Sequence, residues 1–214
     1  MNAPTGPVPS PPSDDHGDLL VYRLWHPAPH TARADTLRTF GPLFRFDPHP
    51  EQPPASGQPA VWYGGEAFET AVREVLDRTN DTRAPRVVEV CVRQRMAAVQ
   101  LAAPTRLGDL SDPARIGAAD DLGDRSDGDY RITRSWARAL HRRPDLDGLR
   151  YHSARHRHPD GSRAGINVVV WNPVCRPTVL SDVNATTGGA WRRLVPMLAA
   201  VNAAAVKVST CNRC

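Results

Sequence analysis

Residues 60–78, Ala-Val-Trp-Tyr-Gly-Gly-Glu-Ala-Phe-Glu-Thr-Ala-Val-Arg-Glu-Val-Leu-Asp-Arg, contain the change of periodicity that decides the fold class. Ala60 to Tyr63 is a run of strand formers, closed by Gly64-Gly65. From Glu66 onward the apolar residues fall at 67, 68, 71, 72, 75 and 76, the period of an amphipathic helix. Glu66 and Glu69 in the first turn and Arg78 near the end suit the helix dipole. A strand is therefore followed directly by a helix over 66–78.

Upstream, LLVYRLW (19–25) reads as a strand. Residues 26–59 carry eight prolines and the aromatic islands Phe40 and Phe44-Arg45-Phe46, so regular pairing is excluded over most of that length. A loop this long inside a domain tends to be functional. Residues 1–18 hold five prolines and almost no large apolar side chain, the composition of a disordered tail. Downstream, RVVEVCV (86–92) and AAVQLA (97–102) read as strands, with Cys91 buried in the first. Residues 120–129 form an acidic loop that misses the calcium-loop pattern. A helix follows at 132–143, then DGLRYHSAR and GINVVVWN as two strands around a polar hairpin. The tail from Ala190 mixes helical spacing with Pro196 and is left unplaced. Strands and helices in irregular order point to an α+β fold. The expected organisation is a tail over 1–18, one domain over 19–180 and a C-terminal extension over 181–214.

The chain has 214 residues, enough to bury a core without a disulfide or metal staple. Its mean hydropathy of −0.46 fits a soluble protein, and no run approaches a membrane span. The N-terminus lacks the basic and apolar regions of a secretory signal, which leaves the cytoplasm as the expected location. The net charge is only +4, and acidic residues interleave with the basic ones. A dedicated nucleic-acid surface is therefore not expected. Cys211-x-x-Cys214 has zinc or redox spacing, but no second pair exists to complete a four-ligand site, so no metal is expected. His152, His156 and His158 lie in a hairpin rich in Arg and Asp and read as solvated. Trp62, Trp136 and Trp171 read as core, and Asp47 as a turn cap before proline.

Three features resist a purely structural reading. Arg45 lies between two phenylalanines, where an uncompensated guanidinium is costly to bury. Glu74 lies at the edge of the apolar stripe of its helix. Ser153 follows Tyr151 and His152 at the end of a strand, where side chains project into clefts.

Together these pieces resemble the RES domain family. The motifs are Tyr22-Arg23, then Arg45-Phe46-Asp47-Pro48, then Tyr63 with Glu74 eleven residues later. Asp147-Gly-Leu-Arg-Tyr-His-Ser153 and the closing strand GINVVVWNP complete the order, over about Leu20 to Pro173. The family usually has Gly before the Arg-Phe, where this chain has Phe44. The resemblance implies an ADP-ribosyltransferase-like mixed sheet core with flanking helices. It also implies a toxin enzyme that degrades NAD by hydrolysis or phosphorolysis of the nicotinamide–ribose bond. Such toxins are typically silenced by an antitoxin with a helix-turn-helix DNA-binding domain.

Under that reading NAD is substrate, no further cofactor is required, and inorganic phosphate is a candidate co-substrate. Breaking an N-glycosidic bond passes through an oxocarbenium-like ribosyl cation, which Glu74 would stabilise. Arg23 and Arg45 would grip the two phosphates. Tyr63 would offer a flat face for a base and a hydroxyl for ribose, and Ser153 would hold the nicotinamide amide or a ribose hydroxyl. Catalysis would fall to Glu74, Arg45 and Ser153. No GxGxxG follows a strand, which disfavours redox use of NAD. The alternatives are an ADP-ribosyltransferase acting on a macromolecule and a catalytically inactive binding module. Transferases of this fold often carry a second acid two positions before the catalytic Glu, where this chain has Val72. Oligomeric state stays open, a homo-oligomer included.

Overall fold

The structure, a computed structural model, describes residues 13–16, 18–27, 31–50, 59–76, 85–102, 105–112, 130–171 and 177–209, with isolated positions 4, 6, 114, 117 and 122. In chain order the elements are β1 (Ser13–His16), β2 (Leu19–Trp25), β3 (Trp62–Gly65), α1 (Phe68–Leu76), β4 (Arg86–Cys91), β5 (Arg95–Leu101) and β6 (Thr105–Asp109). They continue with α2 (Arg131–His141), β7 (Gly148–His152), β8 (Ile166–Val170), β9 (Pro177–Asn184), α3 (Gly188–Ala199) and β10 (Ala203–Val208). Among the described residues eight strands form one mixed sheet in the order β1-β6-β7-β8-β3-β2-β5-β9, in which only β6 and β7 run parallel. The class is α+β, as the irregular order of strands and helices predicts. No helix among the described residues is long and apolar enough to cross a membrane.

The sheet has a different core on each face because side chains alternate along every strand. Val21 and Trp25 of β2, Trp62 of β3, Ala97 and Val99 of β5, and Val168 and Val170 of β8 share one apolar cluster. On the other face, Leu24 and Met96 meet α1, α3, β4 and β10. Beside them on that face, α2 lays Trp136, Ala137 and Leu140 over Leu149, Tyr151 and Val169. Helix α1 buries Phe68, Ala71, Val72 and Leu76 into the former cluster, the three larger side chains contributing about 1.5–3 kcal/mol each. That burial fixes the rotation of α1 and turns Glu74 toward the seam between the two clusters. Trp62, Trp136 and Trp171 are core residues, as expected.

Several boundaries differ from the expectation. Ser13–His16 already pairs with Thr105–Gly108, so the sheet begins inside the stretch read as a disordered tail. The partner strand, β6, carries no alternating pattern that would have announced it. Gly64 and Gly65 do not end the strand but belong to it. A Cβ on Gly64 would lie 2.7 Å from the Trp62 ring and 3.0 Å from the Tyr22 carbonyl, so the glycine lets β2 and β3 close over that indole. Strand β4 leaves the main sheet and pairs in parallel with β10. The boundary expected at 180/181 falls inside β9, and α3 supplies Ala190, Leu194 and Leu198 to the core. Residues 181–209 are therefore part of the domain. Pro196 is tolerated in α3 because it lies exposed, three residues before the helix ends. Cys211 and Cys214, most of the acidic loop at 120–129 and most of residues 1–12 lie outside the described residues.

Candidate active site

Along the seam on the helix-bearing face lies a cavity of about 470 Å³. Its walls come from β2 (Tyr22, Arg23), β3 (Tyr63), α1 (Glu74), the 38–45 loop (Arg38, Phe44, Arg45), β7 (Tyr151) and β8 (Asn167). Tyr63 pairs with Val169 and Tyr151 with Asn167 across the sheet, so period-two alternation puts Tyr63, Tyr151 and Asn167 on one face. Four of the five predicted site residues, Arg23, Arg45, Tyr63 and Glu74, line this cavity. Ser153 does not; it is wholly buried behind Glu74.

Glu74 accepts two hydrogen bonds on the same oxygen. Ser153 Oγ donates to Oε1 at 2.5 Å and Asn167 Nδ2 donates to Oε1 at 2.7 Å. Ser153 Oγ also accepts the amides of Arg155 at 3.0 Å and His156 at 2.8 Å. The serine thus orients the carboxylate from the interior, whereas the resemblance implies a direct contact with the ligand.

Arg45 is 8% exposed and places its guanidinium 5.9 Å over the Tyr151 ring. It thus combines a cavity-lining position with a cation–π rest. Arg23 is placed differently. Its guanidinium lies 5.4 Å over Trp62, on the far side of the sheet from Tyr22, and donates to the carbonyls of Ala34 at 2.7 Å and Thr36 at 3.0 Å. Burial, with Arg38 nearby, pulls its pKa down to about 10. Arg23 borders the cavity, yet its donors hold the start of the long loop.

The loop itself is organised by a pair the sequence does not single out. Arg38 meets Asp47 through Nη2, at 2.6 Å to Oδ1 and 2.7 Å to Oδ2, and also donates to the Phe40 carbonyl. Asp47 has no exposed surface. It accepts the Leu43 amide at 2.5 Å and the Phe44 amide at 3.0 Å, which is the predicted turn cap, and the Tyr63 hydroxyl at 2.7 Å besides. Burial alone would push its carboxyl up, but Arg38 and the amide donors outweigh it and hold the pKa below the usual value. Burial, aided by Asp47, pushes the Tyr63 phenol well above its ordinary range, so it stays a donor. The Tyr63 hydroxyl is thereby committed to the loop, while its ring stays at the cavity wall, edge-on to Phe44 at 5.2 Å. Phe44 is half exposed at the cavity and keeps a negative φ, so the loop needs no glycine there.

The motif Asp147-Gly148 is architectural. Asp147 accepts the Arg106 amide at 2.9 Å and its guanidinium at 3.1 Å, which clamps β6 to β7. A Cβ on Gly148 would lie 2.2 Å from the Val169 carbonyl. His156 is not a solvated hairpin residue: Nδ1 meets Thr70 Oγ1 at 2.8 Å, packing the hairpin against α1, and burial lowers its pKa. Among the described residues no cluster of His, Cys, Asp and Glu is arranged to hold a metal ion.

Sequence reasoning missed Arg38, Asn167 and the cavity-facing role of Tyr151. Asn167 left a trace, a polar residue inside the apolar run Ile-Asn-Val-Val-Val-Trp. Arg38 left none, because the 26–59 loop has no period against which to judge it.

The family model of the RES domain matches residues 15–191, and the chain belongs to the RES family. A chain of the crystal structure of the M. tuberculosis MbcT–MbcA toxin–antitoxin complex is 15% identical to this one, with a TM-score of 0.48 over 80% of this chain and 86% of that one. No curated protein sequence matches.

Proposed function

We propose that this protein is an NAD-degrading enzyme that cleaves the nicotinamide–ribose bond, and that it acts as a toxin. The observation that carries the reading is the carboxylate of Glu74, held at one oxygen by Ser153 and Asn167 in a cavity that Arg45 and aromatic rings also line. Departure of nicotinamide leaves positive charge on the ribosyl ring, and a fixed carboxylate stabilises that charge without reorganising. Nicotinamide leaves as a neutral molecule, so the chemistry asks little of a general acid. Arg45 serves the pyrophosphate, since a guanidinium suits phosphate oxygens in a bidentate fork. Arg23 contributes mainly by fixing residues 34–36 at the cavity rim.

The acceptor in this reading is small, either water or inorganic phosphate. Val72, two positions before Glu74, is wholly buried in the core and offers no second acid to activate a macromolecular acceptor. In the setting usual for RES proteins, an antitoxin with a helix-turn-helix domain neutralises the enzyme in the cytoplasm, and that partner belongs to the proposal.

The test is to incubate purified protein with NAD, with and without phosphate, and to identify the products. Free nicotinamide with ADP-ribose is expected for hydrolysis. Nicotinamide with a phosphorylated ADP-ribose, formed only when phosphate is present, is expected for phosphorolysis. Unchanged NAD under both conditions would sink the reading.

A further inference from the structure

The hydrogen bonds around Glu74 have a direction that follows from counting protons. A serine hydroxyl has one proton to give and two lone pairs to receive. The amides of Arg155 and His156 both donate to Ser153 Oγ, so its proton goes to Glu74 Oε1. Asn167 Nδ2 brings a second donor to that same oxygen. Among the described residues nothing donates to Oε2.

Asn167 stands on the central strand β8, only 5% exposed, opposite Tyr151 in register. A polar side chain there interrupts a buried apolar strand, and burying an amide costs free energy unless it is hydrogen-bonded. Its side-chain NH₂ is spent on Glu74, the one carboxylate placed in the cavity wall by α1. Two donors converging on one oxygen fix the plane of the carboxylate.

We infer that Asn167 is a positioning residue for NAD cleavage: with Ser153 it locks Oε1 of Glu74 and presents Oε2 to the ribosyl centre. The inference rests on the proposed cleavage of NAD. The chemical demand on the position is a neutral donor. Leu would fill the space and leave Oε1 with one donor instead of two. Asp would fill it with an acceptor and a like charge. Gln or His would restore an N–H.

The experiment compares the parent with Asn167→Leu, Asn167→Asp, Asn167→Gln and Asn167→His, all in the full chain, reading kcat and KM for NAD separately. Losing one hydrogen bond to a charged group is worth about 10- to 100-fold. The Leu variant should therefore lose about tenfold or more in kcat, with KM within about threefold of the parent. The Asp variant should lose more, through repulsion of Glu74. Gln or His should recover part of the loss. A residue that only filled space would show the opposite order, with Leu close to the parent and no advantage for Gln or His. Should the Leu protein lose its folded circular-dichroism spectrum, Asn167→Ala, which adds no bulk, carries the same reading. A parent that leaves NAD intact overturns the function and this inference together. A parent that cleaves NAD, with folded Leu and Asp variants at the parental kcat, overturns this inference alone.

Discussion

Arg38 and Asp47 form a two-point ion pair, nine residues apart in the chain, with both oxygens of the carboxylate within 2.7 Å of one guanidinium nitrogen. The pair is almost wholly buried, and Asp47 also takes the Tyr63 hydroxyl and two loop amides. It ties a proline-rich loop to the sheet at the point where Arg45 enters the cavity. Breaking one partner of such a pair strands an uncompensated charge, at a typical cost of about 3–5 kcal/mol. Asp47→Asn should therefore lower stability by several kcal/mol in urea denaturation and loosen the wall that carries Arg45.

Acid should act on the same group with a definite sign. The folded Asp47 carboxyl titrates below its unfolded value of about 3.9, so its contribution is complete above that pH. It is lost as pH falls through the folded pKa. The stability gap between the parent and Asp47→Asn should thus be constant at neutral pH and narrow only below about pH 4. A gap that closes already near pH 6 would show that Asp47 is not the titrating group.

Glu74→Gln isolates the charge. Gln keeps an acceptor for Ser153 and Asn167, so the fold should hold, but the negative charge that the proposed mechanism sets against the ribosyl cation is gone. Turnover of NAD should drop by about 10²-fold or more, of the order seen on removing one electrostatic stabiliser, while NAD affinity changes far less. Parental turnover in this variant would remove Glu74 from the mechanism.

Arg45→Ala should give the complementary pattern. Loss of a charged hydrogen-bonding partner for phosphate weakens binding by about 1.5–3 kcal/mol, read as a raised Kd for NAD by calorimetry. Its kcat at saturating NAD should fall less than that of Glu74→Gln. An unchanged Kd would leave Arg45 as a packing partner of Tyr151 alone.

Ser153→Ala tests whether the serine acts from behind the carboxylate or touches the ligand. Its burial and its bond to Glu74 predict a fall in kcat with KM nearly unchanged. Two loop amides also lose their acceptor, so stability should drop by about 1–3 kcal/mol. A large rise in KM with kcat preserved would favour direct contact with substrate.

Gly148→Ala should be destabilising for a reason unrelated to chemistry. The new Cβ would sit 2.2 Å from a backbone carbonyl of β8, and backbone cannot rotate away as a side chain can. Overpacking of this kind typically costs about 1–3 kcal/mol, seen as a lower midpoint in thermal unfolding.

The sequence by itself determined the local elements and, through the motifs of the RES resemblance, most of the predicted residues that line the cavity. Apolar spacing at 67, 68, 71, 72, 75 and 76 gave α1 and left Glu74 on its edge. Apolar runs gave β2, β5 and β8, and the ordered motifs brought Arg45, Tyr63 and Glu74 to one site. The elements are legible because burial of one face imposes a period on neighbouring residues, whereas the grouping of the site residues came from the family resemblance. Partnership across the chain was decided only by the tertiary structure. Ser153 is 79 residues from Glu74 and Asn167 is 93, so no local period links them. Arg23 and Tyr22 are adjacent in sequence and both border the cavity, yet the pleat sends them to opposite faces, and the Arg23 donors go to the loop carbonyls of Ala34 and Thr36. Whether a polar side chain meets a ligand or another residue depends on which strand lies beside it. Sheet order is set by long-range packing, which leaves no mark on the residues nearby.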